Sequence, residues 1–183
     1  MGAQHSGHKG LPKLEPLPAP YDPSKIITRD QWGAVPGQVE RFAPLKHPLK
    51  KVRVVYTHTD PCYNVNQCSR ILRELQEDHM WVGCPDIMHN FLVGADGNIY
   101  EGRGWDHESC AMQGQWVLKG RTLDIGFIGP YLEMDVPENM IKTAKTIVLY
   151  GIKHKYLTED VQTGTVDHLG DKEEEEEEEE DKL

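Results

Sequence analysis

The stretch that decides the fold is His89-Asn90-Phe91-Leu92-Val93-Gly94-Ala95-Asp96-Gly97-Asn98-Ile99-Tyr100, which continues as Glu101-Gly102-Arg103-Gly104-Trp105. Phe91 and Val93 point to one side of an extended chain, and Asp96-Gly97 has the residues that permit positive φ in a tight reversal. Ile99 then resumes the apolar alternation, so the pattern predicts a β-hairpin. The continuation is a poor strand because two glycines flank an arginine, and such a segment is typical of a cleft wall.

Composition and charge limit the class of protein. The chain has 183 residues and 38% hydrophobic content, which suits one domain with a slightly lean core. Residues 171–183 carry −8 of the formal net charge of −10, and their uninterrupted glutamate run predicts a disordered, solubilising acidic tail. The other 170 residues are nearly neutral, which excludes the basic face of a nucleic-acid-binding protein. No apolar run is long enough for a transmembrane segment.

The four cysteines and the N-terminus indicate opposite compartments. The spacing Cys62-x5-Cys68 is too long for a zinc-ribbon CxxC but suits a local disulfide. Cys84 and Cys110 either pair or are buried free thiols. Disulfides favour an extracellular location, whereas the absence of an apolar signal core favours an intracellular one, and both interpretations stay open.

The first half of the chain predicts a lead-in, a strand and a helix. Residues 1–25 are rich in glycine and proline and predict a flexible segment, with the domain expected over 26–170 and the tail over 171–183. Valine-rich alternation predicts a central strand from Lys51 to His58. Asn64 with Gln67 resembles a capping box, and the apolar spacing after it predicts a helix over 65–80.

After the hairpin the chain predicts a strand, a helix and a last strand. Leu123, Ile125 and Phe127 alternate as in a strand, and Asp135 begins a cap signal for the next helix. The buried stripe of that helix is expected to hold Met140, Ile141, Ala144, Ile147, Val148 and Ile152. An extended segment follows at about 161–168. The order of strand, helix, hairpin, strand, helix and strand predicts an α/β domain with a mixed sheet flanked by helices.

Nine histidines suggest a metal hypothesis, although neither HExxH nor HxH occurs. Four of them fall at the ends or edges of predicted elements, and their spacing alone does not show whether they converge: His58, His79, His89 and His168. A packed or cleft histidine is the more frequent role for each of them. Arg103 and Trp105 suit an anionic or sugar ligand, or else a structural loop with Trp105 in the core.

Several of these segments resemble the peptidoglycan recognition protein family, whose fold is that of the type-2 N-acetylmuramoyl-L-alanine amidases. The hallmarks are the run from Tyr100 to Trp105 after the hairpin and the local cysteine pair, and the resembling segments are 27–34, 54–59, 86–94, 96–105 and 124–129. The resemblance implies a mixed five-stranded sheet flanked by helices, a disulfide between Cys62 and Cys68, and a groove that takes muramyl peptides in relatives.

The resemblance also implies that the catalytic metal site is degenerate. Enzymatic members hold zinc through a histidine of the first core strand, a later histidine and a cysteine, with a tyrosine assisting from the hairpin. Here Thr57 stands at the first ligand position and His89 at the tyrosine position, and His168 is a loose match to the second ligand. His58 is one residue away and is expected on the opposite face of the strand. We therefore predict no metal cofactor and no amidase activity.

The implied ligand groove consists of His58, Thr59, His79, His89, Arg103 and Trp105. Binding is expected to be weak, because Met112 stands at a histidine position, Pro130 at an asparagine position and Gly83-Cys84 at a pair that includes an aromatic residue in relatives. The predicted function is a non-catalytic homologue in innate immune sensing or its regulation, which binds muramyl peptides or pairs with another peptidoglycan recognition protein. The alternatives are a zinc amidase with a rearranged site at His58, His89 and His168, and a ligand-free decoy or interaction module.

Overall fold

The computed structural model describes residues 20–110 and 122–166, and within them the elements follow the predicted order. The helices are α1 (Arg29–Trp32), α2 (Val65–Trp81) and α3 (Glu138–Lys153). The strands are β1 (Leu49–Tyr56), β2 (Phe91–Val93), β3 (Ile99–Glu101), β4 (Thr122–Phe127) and β5 (Leu157–Val166). The predictions for Met112, His168, the acidic tail and residues 1–19 of the lead-in fall outside the described residues.

The five strands form one mixed sheet in the order β3-β2-β4-β1-β5. Strand β1 runs parallel to both of its neighbours, β4 and β5, as its valine-rich pattern predicts for a central strand. Strands β2 and β3 form the antiparallel hairpin, and Gly97 in its turn has a φ of 80°. The prediction of an α/β domain with a mixed sheet flanked by helices is confirmed.

Alternating side chains give the sheet two covered faces. Phe91 and Val93 join Ile125 in a core against α3, together with Met140 and Ile147 of that helix. On the other face a second cluster packs against α2 and consists of Trp32, Cys62, Cys68, Ile71, Leu72, Leu75, Ile87, Leu92, Tyr100 and Ile128. We call these the α3 face and the α2 face. Within the described residues, no helix is both long and apolar enough to cross a bilayer.

Local capping chemistry explains where α2 begins. The Asn64 carboxamide accepts a hydrogen bond of 3.0 Å from the Gln67 backbone N–H, and the Gln67 side chain accepts one of 2.9 Å from the N–H of Tyr63. Cys62 and Cys68 form a disulfide across the same helix start. The two hydrogen bonds give partners to backbone N–H groups at the first turn, where helical N–H donors have no intrahelical acceptor. The disulfide fixes the chain at the same turn.

Three boundaries and the burial of one residue differ from the sequence prediction. Strand β1 ends at Tyr56, and His58 lies beyond it with a φ of 56°, so strand alternation does not fix its direction. Ile141 is 40% exposed and lies at the edge of the α3 stripe. Strand β5 begins earlier, at Leu157. Packing also begins before residue 26, because the ring of Tyr21 lies 4.4 Å from that of Tyr150.

Candidate functional site

Two predicted site residues meet on the α2 face of the sheet. His79, near the end of α2, and His89, just before β2, have ring centroids 5.6 Å apart. A Cβ built on Gly126 would lie 3.0 Å from Cδ2 of His89, so this strand glycine leaves the space that the imidazole occupies. Nδ1 of His79 accepts a hydrogen bond of 3.0 Å from the N–H of Met88, which fixes the first ring against the second.

Both imidazoles are neutral at neutral pH. Burial lowers the pKa of His79 to about 3, with the neighbouring His89 acting in the same direction. Burial also lowers the pKa of His89 to about 4, with the positive charge of Arg53 acting in the same direction. His89 is 5% exposed, and no described residue makes a hydrogen bond to its Nδ1. The pair therefore offers hydrogen-bonding nitrogens without net charge.

A buried ion pair lies on the same face. Arg53 of β1 and Asp124 of β4 are register partners, and Nε of the arginine donates to the carboxylate at 2.7 Å. Asn90 fixes the acidic residue further, because its side-chain oxygen accepts a hydrogen bond from the Asp124 N–H. Sequence reasoning missed this pair. The sequence gives one sign of the pair, a charged residue within the valine-rich pattern of β1. The partner of that residue depends on how β1 and β4 align in the sheet, which the sequence does not show.

The end of β1 carries two hydroxyl groups in one network. Oγ1 of Thr57 accepts a hydrogen bond of 3.0 Å from the N–H of Gly129 and lies 2.8 Å from Oγ1 of Thr59. The N–H of Thr57 also donates to the Phe127 carbonyl, so the backbone here still follows β4. The Thr57 hydroxyl is thus engaged with the protein itself.

Arg103 contacts the site through its backbone, and its guanidinium packs against the ring of Phe42. Its N–H donates to the His89 carbonyl at 2.9 Å. The guanidinium carbon lies 4.4 Å over the ring of Phe42, and the arginine is only 7% exposed. Burial lowers the pKa of this guanidinium, and the charge of Asp86 opposes that shift. Sequence reasoning did not single out Phe42, which lies 61 positions earlier in the chain.

Trp105 does not join the other predicted groove residues. Its ring stacks on Tyr156 with centroids 4.6 Å apart and an angle of 13°, and it lies 4.9 Å from the ring of Phe91. This aromatic cluster packs on the α3 face. Gly104, with a φ of 67°, changes the chain direction between Arg103 and Trp105. The structural-loop interpretation therefore describes the position of Trp105, and a role of this residue in the groove stays a prediction.

All four cysteines of the chain are oxidised. Besides the Cys62–Cys68 bond, Cys84 and Cys110 form a second disulfide, which settles the alternative that the sequence left open. The second bond joins the loop after α2 to the segment after Trp105. Each of these loops carries a carboxylate whose charge acts on the guanidinium of Arg103, namely Asp86 on the first and Glu108 on the second.

The described residues do not fit the zinc site of the enzymatic relatives. In residues 20–110 and 122–166, no three His, Cys, Asp or Glu side chains come together as a metal site. The two disulfides contain the sulfur atoms of all four cysteines, so no cysteine thiolate is available as a zinc ligand. At the first ligand position, the Thr57 hydroxyl is held by Gly129. His168 lies outside the described residues, so the rearranged site with His58 and His89 stays a prediction.

Comparison with known sequences finds one family. Residues 48–179 match the family model described as N-acetylmuramoyl-L-alanine amidase. Peptidoglycan-recognition protein 3 of Holotrichia diomphalia is 34% identical over 137 residues, which cover 74% of this chain and 70% of that relative.

Solved structures give the same result for the fold. Peptidoglycan recognition protein-LE in complex with tracheal cytotoxin, a monomeric diaminopimelic acid-type peptidoglycan, aligns with a TM-score of 0.72 and 30% identity. The alignment covers 78% of this chain and 82% of that one. The ectodomain complex of peptidoglycan recognition proteins LCa and LCx bound to tracheal cytotoxin aligns with a TM-score of 0.71 and 28% identity, over 76% of this chain and 82% of that one.

Proposed function

Because this chain belongs to the peptidoglycan recognition protein family, we propose that it recognises muramyl peptides without cleaving them. The observation that carries the proposal is the shared fold with peptidoglycan recognition protein-LE, which is in complex with a monomeric peptidoglycan. Peptidoglycan fragments are bacterial, so recognition of this kind fits a role in innate immune sensing or its regulation.

The chemistry of the α2 face supports binding of neutral polar groups. Since Nδ1 of His79 accepts the Met88 hydrogen bond, the neutral ring carries its proton on Nε2 and is a donor there. His89 adds its Nδ1, which makes no hydrogen bond to any described residue, and Thr59 adds a hydroxyl group just after β1. Sugar hydroxyls and peptide amides are the natural partners of such groups, because a buried polar atom is stabilised by a hydrogen bond.

The proposed ligand contacts are His58, Thr59, His79 and His89, with Arg103 at the border of the groove. Trp105 contributes by packing the loop that carries Arg103, as its stacking on Tyr156 indicates.

The same observations favour a non-catalytic protein. A catalytic zinc in proteins commonly has three side-chain ligands and an open position for water. Here the cysteines are in disulfides and the hydroxyl of Thr57 replaces the first histidine. We therefore propose that no cofactor is needed for the function, and that weak ligand binding or pairing with another family member is the activity. The LCa and LCx ectodomains, which form a complex with each other, support the pairing option.

Isothermal titration calorimetry with purified muramyl tripeptide tests the binding. We expect measurable heat with the unmodified protein and about five- to thirtyfold weaker binding in His79→Ala, because a lost hydrogen bond costs roughly 1–2 kcal/mol. His154→Ala is the matched control, since His154 is exposed and lies at the end of α3. Absence of heat and of any thermal shift at millimolar ligand would contradict the proposal.

Metal analysis combined with a peptidoglycan hydrolysis assay tests the non-catalytic part. We expect no stoichiometric zinc in the purified protein and no release of muramic acid from its stem peptide when zinc is added. Stoichiometric zinc together with hydrolysis would replace the proposal with the amidase alternative. Loss of both in a His168→Ala variant would then identify the rearranged site.

A further inference from the structure

An apolar groove lies between α3 and the strands β1 and β5, and we call it the α3 groove. Its volume is about 270 Å³. Val54 and Tyr56 of β1 form its floor, and Ile141 and Val148 of α3 form one wall. The groove is on the α3 face of the sheet, opposite to the histidine pair, and takes no part in the proposed recognition of muramyl peptides.

The α3 groove is open to solvent although its lining is apolar. Ile141 is 40% exposed, and Thr163 of β5 is exposed on the opposite side of the groove. Strands β1, β4 and β5 are parallel, and parallel sheets usually have helices covering both faces. In the described parts of the chain, α3 alone contributes helical side chains to the core on this face. A second helix beside α3 would complete the layer.

The residues that follow β5 do not carry the apolar side chains that such a helix needs. Residues 167–183 include eleven acidic side chains and only two apolar ones, Leu169 and Leu183. A helix that packs on a sheet needs three or four apolar residues in every two turns. The cover of the α3 groove is therefore expected from another molecule.

The loop between β4 and α3 adds acidic and apolar side chains at one end of the groove. Val136 lines the groove at this end. In the residues that lead to it, Leu132 and Met134 are each 48% exposed, and they alternate with the exposed carboxylates Glu133 and Asp135. Exposed apolar side chains between acidic ones are suited to a partner that is both apolar and cationic.

The acidic run at the end of the sequence follows the same part of the sheet. Strand β5 ends at Val166, the register partner of Val55 near the end of β1. Asp171, the first residue of the segment 171–183, is five residues further on, which is at most about 17 Å of chain. That segment has a net charge of −8, whereas Lys145 is the one charged residue among the described residues that line the groove. The surroundings of the groove therefore attract cations.

We propose that the α3 groove binds an amphipathic helix of a partner protein, with apolar side chains on one side and lysine or arginine on the other. The apolar side covers Ile141 and Val148, and the basic side faces the acidic loop and the segment 171–183. Neighbouring helices pack with their axes about 8–10 Å apart, so the partner helix lies beside α3 and over β1 and β5. From Ile141 to Val148 the wall is about 10 Å long, which corresponds to two turns of the partner.

Two synthetic helices of about four turns test the charge preference. Both carry leucine on one side, and the other side is lysine in the first and glutamate in the second. Fluorescence anisotropy follows the binding of each labelled helix to the full-length protein. We expect saturable binding of the lysine helix, at least about tenfold tighter than that of the glutamate helix, and weaker binding as the salt concentration rises. Equal affinities, or no saturable binding of the lysine helix, would overturn the proposal.

Two pairs of variants locate the binding site. Ile141→Gln should weaken binding of the lysine helix about tenfold, because an apolar wall residue is lost. Leu149→Gln is its matched control, since Leu149 is on the same helix, is 63% exposed and lies outside the groove. Thr163→Lys should weaken binding about fivefold by placing a like charge in the groove. Gln162→Lys is the control for it, because adjacent strand residues point to opposite faces.

Neutralising the acidic run tests its contribution. With Glu173→Gln to Glu180→Gln changed together, we expect at least about tenfold weaker binding of the lysine helix at low salt and a smaller dependence on salt. If this variant loses binding while Ile141→Gln and Thr163→Lys bind as tightly as the unmodified protein, the helix is attracted by the acidic run alone and the proposal is wrong. Thermal unfolding establishes that each variant is folded, and either groove variant suffices for the decision.

The same variants distinguish a partner helix from a cover supplied by this chain. Sedimentation velocity should show a monomer, and a dimer that dissociates in Ile141→Gln but not in Leu149→Gln would assign the α3 groove to a second copy and overturn the proposal. At least about tenfold tighter binding of the lysine helix after removal of residues 1–19 would overturn it as well, because those residues would then be the occupant.

Discussion

The imidazoles of His79 and His89 face each other across the space between α2 and the sheet, with ring centroids 5.6 Å apart. The two residues come from different elements, and Gly126 leaves the space into which the second ring packs. Burial holds both rings in the neutral state, and a proton on either ring would be opposed by its surroundings.

Stability is therefore expected to fall as the pH falls from 7 to 5. The unfolded chain binds protons at these histidines near their ordinary pKa of about 6.5, whereas the folded values are about 3 for His79 and about 4 for His89. Between these values the unfolded state binds more protons, so each histidine lowers the unfolding free energy by up to ~1.4 kcal/mol per pH unit. Urea denaturation at pH 7, 6 and 5 measures the slope.

Removing one titrating ring should reduce that slope by roughly half. His89→Phe keeps a ring against Gly126 and eliminates one proton site, while His154→Gln removes an exposed histidine outside the pair. We expect a flatter pH dependence only in the first variant. Equal slopes in both variants and the unmodified protein would show that the buried pair does not govern the acid sensitivity.

Gly102 is expected to tolerate no side chain. A Cβ at this position would collide with the carbonyl oxygen of His89, which is backbone and cannot rotate away. Gly102→Ala should therefore destabilise the protein by about 3 kcal/mol or more. Gly164→Ala is the control, because nothing lies within 4 Å of its Cβ position and a change of about 0.5 kcal/mol or less is expected there. Similar denaturation midpoints for the two variants would contradict this explanation.

Trp105 is expected to matter for stability and not for ligand contact. Trp105→Ala removes stacking on Tyr156 and should cost about 3 kcal/mol, measured by urea denaturation. Trp81, which is 89% exposed, provides the matched control, and its change to alanine should cost about 0.5 kcal/mol or less. Trp105→Phe should bind muramyl tripeptide like the unmodified protein. A loss of binding in folded Trp105→Phe would return Trp105 to the groove.

Features encoded by neighbouring residues could be predicted from the sequence. The hairpin turn depends on Asp96-Gly97, and the start of α2 depends on Asn64 and Gln67, which are three positions apart. The order of elements and the mixed sheet followed from these local signals, because short apolar patterns identify the elements and strand connections restrict their arrangement.

Features that depend on distant pairing could not be predicted in the same way. Arg53 meets Asp124 only because β1 and β4 pair in one particular register, and Phe42 reaches Arg103 only because two loops hold its segment. The position of Trp105 depends on the positive φ of Gly104, and glycine permits that conformation without requiring it. Two of the predicted groove residues, His79 and His89, lie side by side in the structure, while the sequence did not identify the side chains that surround them.

The buried ion pair should be costly to break and inexpensive to replace. Asp124 is 5% exposed, so Asp124→Ala leaves Arg53 beside an empty site and should cost about 3–5 kcal/mol. Arg53→Met combined with Asp124→Leu should recover most of that loss, because no charge stays buried. Urea denaturation of Arg53→Met, Asp124→Leu and the double variant gives the coupling energy. A double variant as unstable as Asp124→Ala would show that packing, and not charge, decides the effect.

The Cys84–Cys110 disulfide should contribute more to stability than the Cys62–Cys68 disulfide. The sequence separations are 26 and 6 residues, and a longer closed loop removes more entropy from the unfolded chain. Cys84→Ala with Cys110→Ala should therefore cost about 3.5 kcal/mol, against about 2.4 kcal/mol from loop closure for the shorter bond.

Denaturation with and without reductant measures both disulfide contributions. Reduction breaks both bonds of the unmodified protein but only the short bond of the Cys84→Ala, Cys110→Ala variant. The unfolding free energy should therefore decrease less on reduction in the variant than in the unmodified protein. An unchanged unfolding free energy in the Cys84→Ala, Cys110→Ala variant would contradict the contribution of the long bond.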